Sequence, residues 1–305
     1  MKAELRMGVD IGGTKLEAAV LDAAGDIMAR RRVATPEDYE TALASLAGLV
    51  TRMEGEAGAR CSVGLGIPGA ISPATGLVKN AYNSPFNGKP LDRDLAQRLH
   101  RPLRIMNDAN CFALSEAADG SARGEKLVFG VIVGTGCGGG IVLDGKPLTG
   151  ANAISGEWGH NPLPWAGDDE RPGFPCACGK LGCIETFLSG TGFAAHHNAR
   201  YGTDLQAHEI AAHAEAGDAD AAATLAIYEN RMARALASVI NLLDPDAIVL
   251  GGGMSNVQSL YRHVPRLWGR WVFSDRVDTK LLPPRFGDSS GVRGAAWLWP
   301  IGAEA

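Results

Sequence analysis

The chain has 305 residues, of which 46% are hydrophobic and 21% are charged, and its net charge is −5. This acidic balance, with no basic run longer than Arg30–Arg32, argues against a nucleic-acid-binding protein. The N-terminus lacks the apolar core of a signal peptide, and no apolar stretch approaches the roughly 20 residues that span a bilayer. We therefore expect a cytoplasmic α/β protein with reduced cysteines and, at this length, two lobes.

The first third of the chain alternates strand and helix patterns. A strand over Leu5–Ile11 and a second over Glu17–Leu21 flank a glycine turn, Gly12–Lys15. The pattern then predicts a third strand at 26–33, a helix from about 36 to 53, and a buried strand at 62–67. A short strand at 103–106 leads into a helix over 108–118 that begins with polar residues.

The strand–turn–strand pattern recurs later in the chain. A β-rich run at 127–133, the glycine-rich stretch GTGCGGG and a run at 141–143 match the first copy at a constant offset of 122 residues. Gly8-Val9 then falls on Gly130-Val131, Gly12 falls on Gly134, and Val20-Leu21-Asp22 falls on Val142-Leu143-Asp144. Such short strings can coincide by chance, but three separate matches share one offset without a gap. We interpret them as a duplicated fold with two related lobes.

The rest of the chain is mainly helical. Apolar residues from 218 to 243 form one helical stripe, and a short buried strand at 247–250 ends at Gly251, Gly252 and Gly253. Another helix is predicted from about Ser255 to Trp268, followed by a glycine turn and a last helix. We place a small α/β lobe at 1–118, completed by a C-terminal helix at 290–305, and a large α/β lobe at 119–289.

The glycine turns are candidate phosphate sites. Turns of small residues let backbone N–H groups approach an anion, although ordinary hairpins also use glycine. Two turns in duplicated positions and a third glycine cluster favour nucleotide binding. The spacing matches no Walker A motif, and a dinucleotide site is the weaker option. Asp10 ends the first strand, where it either caps the turn or serves Mg²⁺ beside phosphate oxygens.

IMNDANC places Asn107 and Asp108 where a strand meets a helix. Both residue types are favoured as helix N-caps. Alternatively, Asp108 is a general base that takes a proton from a hydroxyl attacking a γ-phosphate, since such a base needs a rigid strand end. This stretch alone does not separate the two interpretations.

The segment 157–185 contains a complete ligand set for structural zinc: His160, Cys176, Cys178 and Cys183. A disulfide between neighbouring C-x-C residues would be strained, and a redox pair is more often C-x-x-C. Zinc is therefore favoured over both, and simple buried thiols are the alternative. A closed site would fix the zinc-binding loop that carries Glu157 and Glu185, which are candidate acceptors for sugar hydroxyls. The other cysteines, Cys61, Cys111 and Cys137, are expected to be core or turn residues.

Taken together, the motifs resemble those of the ROK sugar kinases over nearly the whole chain. DIGGTK, GIPG, NDAN, GTGCGGG, GEWGH, CACGKLGCIE and the late LGGG occur in family order. AYNSPFNG, GEWGHNPLPW, the cysteine loop and GDSSGVRGAAWLWP look most like bacterial fructokinases, including the type that also accepts mannose. The resemblance implies an actin-like ATPase (ribonuclease H-like) fold, ATP and a hexose in a cleft between two lobes, and Mg²⁺ with structural Zn²⁺.

The resemblance also implies residue roles. Asp108 would be the general base for the 6-hydroxyl, and Asp10 would serve Mg²⁺. Phosphates would be held by Gly12, Gly13, Thr14, Lys15, Gly134, Thr135 and Gly136, while Gly251, Gly252 and Gly253 would border the adenosine. The sugar pocket would include Asn107, Asp108, Glu157, His160, Glu185, Gly66 and Gly69, with His160 also on zinc.

We therefore expect ATP-dependent phosphorylation of D-fructose to fructose 6-phosphate. Glucokinase and N-acetylglucosamine kinase share every motif above and are the alternatives. A sugar-responsive repressor and a non-catalytic sensor are more remote, because the first strand begins by about residue 5 and because both aspartates and both turns are intact. A small-molecule hexose and ATP are the expected partners, with no nucleic acid or membrane, and the resemblance implies a homodimer.

Overall fold

The computed structural model describes residues 5–82, 84–287 and 290–300. The chain divides into two compact units. Unit 1 contains the described residues within 1–123, 140–155 and 288–305, and unit 2 contains 124–139 and 156–287. Each unit is described below by itself.

Unit 1 is built on a five-stranded mixed sheet with the order β3-β2-β1-β4-β7. Strands β1, β2 and β3 are antiparallel neighbours, and β4 and β7 continue the sheet parallel to β1. A two-stranded ribbon, β5–β6, lies outside it. The strands are β1 (Arg6–Ile11), β2 (Lys15–Leu21), β3 (Ile27–Ala34), β4 (Ser62–Ile67), β5 (Ala70–Ile71), β6 (Val78–Lys79) and β7 (Arg104–Asn107).

The described helices of unit 1 are α1 (Tyr39–Ala57), α2 (Leu91–Leu99), α3 (Asp108–Ala118) and α9 (Ser290–Trp297). Helices α1, α3 and α9 pack on strands of the sheet, and α2 packs on α1. Apolar residues of α1 pack with β1, β2 and β4 into one buried core. Helix α9 packs directly on β1 and β4. A Cβ added to Gly8 or Gly64 would lie within 2 Å of an α9 carbonyl oxygen, so only glycine permits this close approach. The C-terminal helix predicted at 290–305 ends at Trp297, because Pro300 follows closely and cannot continue a helix. Residues 301–305 lie outside the described residues.

The second sheet has the order β10-β9-β8-β11-β12. Its strands are β8 (Leu127–Val133), β9 (Cys137–Leu143), β10 (Lys146–Pro147), β11 (Ala247–Gly251) and β12 (Lys280–Leu282). Strand β8 is the central strand, as β1 is in the first sheet. On one side of β8 lie β9 and β10, and on the other side lie the parallel strands β11 and β12. The offset of 122 residues superposes Lys15–Leu21 on Cys137–Leu143, the bounds of β2 and β9. The predicted duplicated α/β architecture is confirmed.

Five helices belong to unit 2: α4 (Ile184–Leu188), α5 (Gly190–Tyr201), α6 (Ala207–Glu215), α7 (Ala219–Leu243) and α8 (Leu260–Trp268). The long helix α7 is capped by Asp218, whose carboxylate accepts a hydrogen bond from the Ala221 N–H at 2.8 Å. Its predicted apolar stripe is buried from Leu225 to Ile240.

Among the boundaries that differ from the sequence prediction, two change the assignment of a whole segment. Residues 140–155, predicted in the large lobe, lie in unit 1, because β9 crosses the unit boundary and Gly140 packs against the backbone of Ala109. The helix predicted from about Ser255 begins only at Leu260. Residues 253–256 instead form a 3₁₀ turn, in which the Ser255 N–H and hydroxyl both bond to the Gly252 carbonyl.

Candidate functional site

Three parallel strands of unit 1 bring polar residues to one sheet edge. Asp10 lies near the end of β1, opposite Gly66 of β4, and Gly66 is in turn opposite Met106 of β7. Asp108 follows directly as the first residue of α3. Because neighbouring parallel strands end at the same edge, the carboxyl ends of β1 and β7 present both aspartates there.

The two aspartates interact electrostatically. Burial, together with the nearby carboxylates of Asp108 and Glu17, raises the pKa of Asp10 to about 7, although Lys15 and Arg32 oppose this rise. Carboxylates that repel each other in a desolvated place are stabilised by a bound cation. This setting fits the Mg²⁺ that the sequence analysis assigned to Asp10.

Asn107 holds the strand end in place. Its side-chain oxygen caps α3 by accepting the Ala109 N–H at 2.9 Å, and its amide donates to the Gly69 carbonyl at 3.1 Å. Asp108 Oδ1 also accepts from the Ala109 N–H, at 2.8 Å. A Cβ at Gly69, where φ is +68°, would lie 2.0 Å from the Lys79 carbonyl oxygen, so this turn requires glycine. The cap and the base interpretations of Asp108 are therefore compatible.

The first glycine turn joins β1 to β2. The Gly12 N–H donates to the Lys15 carbonyl at 2.8 Å, and Gly13, Thr14 and Lys15 are exposed. The hydroxyl of Thr35 donates to the Gly12 carbonyl at 2.9 Å, which braces the turn from the end of β3. Thr35 was missed by the sequence analysis, because a contact over this distance in the chain leaves no local pattern.

Asp10 makes the stability of the ligand-free protein depend on pH. The pKa of Asp10 in the folded protein lies above the 3.8 of an exposed aspartate. The contribution of Asp10 to the free energy of unfolding is therefore greatest below about pH 3.8, and it is lost as pH rises towards about 7. We expect Asp10→Asn to raise the melting temperature by about 5 °C at pH 8 and by much less at pH 4. Thermal melts at both pH values test this, with Asp26→Asn in an exposed turn as control. An equal shift at both pH values would contradict it.

In unit 2, two glycine segments meet at a cavity of about 730 Å³. The turn after β8 contributes Gly134 and Thr135, and the segment after β11 contributes Gly253. Gly252, at φ +78°, lies so close to β8 that an added Cβ would be 2.6 Å from the Val133 carbonyl. The size matches a pocket for a small molecule. Much of the remaining wall is apolar, which suits a flat nucleoside base: Ala194, Ala195, Ala207, Ala211, Met254 and Val257.

The predicted zinc ligands come together in unit 2. The ligand atoms of His160, Cys176, Cys178 and Cys183 all lie within 4.8 Å of one another. Cys178 Sγ and Cys183 Sγ are 3.5 Å apart, as are Cys176 Sγ and His160 Nδ1. Zinc with Zn–S bonds of about 2.3 Å places tetrahedral sulfur atoms about 3.8 Å apart. The spacing therefore fits a Cys₃His zinc site.

The acidities of the cluster also fit a cation. Hydrogen bonding by the Lys180 backbone N–H is the main cause that lowers the pKa of Cys178 to about 7. Burial raises the pKa of Cys176 to about 12, so this thiol ionises at neutral pH only beside a positive charge. A bound divalent metal supplies that charge.

The two predicted sugar carboxylates of unit 2 have different surroundings. Glu157 Oε2 lies 4.0 Å from His160 Nε2, the ring nitrogen that faces away from Cys176. Glu185 Oε2 accepts a hydrogen bond from the Cys137 N–H at 3.0 Å, just after the second glycine turn. Its other oxygen is 3.5 Å from Cys176 Sγ.

A buried ion-pair network anchors the segment 157–185, which carries the cysteine and histidine residues, to helix α7. Glu170 accepts hydrogen bonds from Arg231 at 2.8 Å and, through both oxygens, from Arg234 at 2.6 and 2.8 Å. Burial alone would raise the pKa of Glu170, but these hydrogen bonds lower it to about 2. No local pattern in the sequence indicates this anchor, because its partners are more than 60 residues apart.

The predicted site residues thus form two groups, each brought together within its own unit. Unit 1 holds Asp10, Gly12, Gly13, Thr14, Lys15, Gly66, Gly69, Asn107 and Asp108. Unit 2 holds Gly134, Thr135, Gly136, Glu157, His160, Cys176, Cys178, Cys183, Glu185, Gly251, Gly252 and Gly253. Among the described residues, no helix is both long and apolar enough to cross a membrane.

Comparison with known proteins agrees with this picture. The model of the ROK family matches residues 6–301. An N-acetyl-D-glucosamine kinase from Erwinia tasmaniensis is 43% identical, over 95% of this chain and 98% of that protein. The ROK hexokinase from Thermus thermophilus has a TM-score of 0.86 at 31% identity, over 96% of this chain and 97% of that one.

A second solved structure is a ROK family glucokinase from Streptomyces griseus in complex with glucose and AMPPNP. It has a TM-score of 0.79 at 28% identity, with 96% of this chain and 98% of that chain covered. The similarity to both structures extends over both units.

Proposed function

The chain belongs to the ROK family and is a sugar kinase with the actin-like ATPase fold, and from this premise we propose that it phosphorylates N-acetyl-D-glucosamine at the 6-hydroxyl, using ATP. Curated relatives that are 39–43% identical over 95% of the chain carry the name N-acetyl-D-glucosamine kinase. This supports N-acetylglucosamine, one of the alternative substrates, over fructose, which rested on a resemblance of short motifs.

The observation that carries the phosphoryl-transfer chemistry is the paired arrangement of Asp10 and Asp108 at one strand edge. Asp108, held at the start of α3 by its bond to the Ala109 N–H, would accept the proton of the attacking sugar hydroxyl. Asp10 would hold Mg²⁺, directly or through water, and the metal supplies positive charge beside the phosphate oxygens. Asp10 is the second carboxylate beside Asp108, and the end of β7 is the strand end that positions Asp108 as a general base.

Backbone N–H groups of the two glycine turns would bind the phosphates. The cavity beside Gly134, Thr135 and Gly253 would accept the adenosine. Asn107 and Glu157 would position the sugar hydroxyls. Zn²⁺ would be held by His160, Cys176, Cys178 and Cys183, where a closed four-ligand site stabilises its loop and takes no part in the chemistry.

The test is ADP release with Mg·ATP across N-acetylglucosamine, fructose, mannose and glucose at several concentrations. We expect kcat/KM for N-acetylglucosamine to exceed that for the other sugars by at least about tenfold, because a site built to hydrogen-bond one group rejects sugars that lack it. A preference for fructose would restore the fructokinase assignment. The absence of turnover with all four sugars would overturn the proposal.

A further inference from the structure

Helix α4 connects the cysteine–histidine cluster to the second glycine turn. Cys183 is the residue before α4, and Gly190 follows it at the start of α5. The Gly190 N–H donates to the Gly134 carbonyl at 2.7 Å, at the beginning of the turn. The segment from the cluster therefore reaches the turn on one side through its backbone.

The Glu185 side chain contacts the end of the same turn, whereas the backbone of Gly190 contacts its beginning. Its Oε2 accepts the Cys137 N–H at 3.0 Å, and an added Cβ on Gly136 would be only 2.9 Å from that oxygen. The carboxylate therefore packs against the turn as well as bonding to its last amide. Its Oε1 contacts Cys176 Sγ at 3.5 Å, so one side chain touches both the turn and the cluster.

The segment that carries His160 packs against β9, the strand that follows the second glycine turn. Trp158 Nε1 donates to the Gly138 carbonyl at 3.1 Å. Gly159 lies so close to β9 that an added Cβ would be 2.0 Å from the Cys137 carbonyl oxygen. Both ends of the cluster loop thus pack on the residues that directly follow the glycine turn.

We propose that Glu185 is a positioning residue for nucleotide binding, which fixes the second glycine turn to the cysteine–histidine cluster. This inference rests on the proposed function, because it takes the turn to bind ATP phosphates. A turn of glycines is intrinsically mobile, and N–H donors bind an anion well only when their direction is held in advance. Glu185 holds that direction through its bond to the Cys137 N–H, and helix α4, which begins next to Cys183 of the cluster, carries Glu185.

Two side chains of similar size separate this role from simple space filling. Glu185→Met fills the same volume without an acceptor, whereas Glu185→Gln keeps a carbonyl oxygen that can accept the Cys137 N–H. The metal-loaded full chain is titrated with Mg·AMPPNP in the absence of sugar, with metal content and melting temperature measured in parallel. Glu125→Met is the matched control, since it makes the same change at a glutamate of unit 2 that pairs with Lys280 and belongs to neither the turn nor the cluster.

We expect Glu185→Met to bind AMPPNP about tenfold more weakly and Glu185→Gln to bind within about twofold of the parent, because a bond to a charged acceptor is lost in one and replaced in the other. In turnover, KM for ATP should rise in the methionine variant. Glu125→Met should bind AMPPNP like the parent protein.

Unchanged AMPPNP affinity in Glu185→Met would overturn the inference and leave Glu185 as a sugar contact alone. Equal weakening in the glutamine and methionine variants would also overturn it, because the acceptor would then not matter. A parent protein that binds no AMPPNP would contradict the proposed function itself, so the two failures are distinguishable.

Discussion

Asp108→Asn is expected to lower kcat by about 10²–10⁴-fold, the usual contribution of a general base. Asparagine cannot take the proton of the sugar hydroxyl, yet its oxygen can still accept the Ala109 N–H that Asp108 binds at 2.8 Å. The start of α3 should therefore persist, and sugar affinity should change little. Steady-state kinetics and sugar binding by calorimetry, on the same preparation, measure both quantities.

The matched control is Asp26→Asn, which makes the same chemical change in an exposed turn of unit 1 and should leave kcat unchanged. A loss of less than about tenfold in Asp108→Asn would remove Asp108 from the role of base. Loss of folding in Asp108→Asn, detected by its melting temperature, would instead contradict the expectation that the asparagine oxygen preserves the start of α3.

Cys178→Ser is expected to remove the metal and to lower the melting temperature by roughly 10 °C or more, because binding of a structural metal is coupled to folding. Cys178 is the most acidic thiol of the cluster, with its pKa lowered to about 7, and serine is a much poorer zinc ligand. Elemental analysis gives the metal content per chain, and calorimetry gives the stability.

Cys61→Ser provides the control for this experiment. Cys61 is buried in unit 1, whereas the cluster residues belong to unit 2, and burial raises the pKa of Cys61 to about 12. This variant should keep one zinc per chain, whatever its packing costs. If the metal-free Cys178→Ser protein kept the melting temperature of the parent, this result would contradict a structural role of the metal site.

Local patterns predicted much of the fold. The helix Asp108–Ala118 and the strand Leu127–Val133 have the predicted bounds, because each is marked by its own periodicity and by polar or glycine boundaries. The first long helix begins at Tyr39 instead of near Pro36, since Asp38 takes the N-cap position. Caps are harder to place than periodic segments, because several polar residues can serve.

Long-range contacts were beyond local reasoning. The unit boundary inside β9 depends on the contact between Gly140 and Ala109, and the anchor at Glu170 depends on two arginines of α7. The cysteine spacing did predict the cluster, because few arrangements of three thiols and an imidazole have another use. The bond from Cys137 to Glu185 was missed, since it joins residues 48 positions apart.

The identity of the sugar is the part that the motifs could not predict. The short motifs suggested fructose, but discrimination between hexoses depends on hydrogen bonds to a single substituent. Whole-chain similarity to N-acetyl-D-glucosamine kinases therefore carries more weight than the short strings that favoured fructose.

The most direct test of the account is the stoichiometry of the reaction with N-acetylglucosamine and Mg·ATP, followed by ³¹P NMR and an ADP assay on one sample. We predict one sugar 6-phosphate for each ADP formed and almost no ADP without sugar. Phosphate on another hydroxyl would contradict the assignment of Asp108 as the base for the 6-hydroxyl. ADP formed without a phosphorylated sugar would contradict the proposed kinase activity with N-acetylglucosamine.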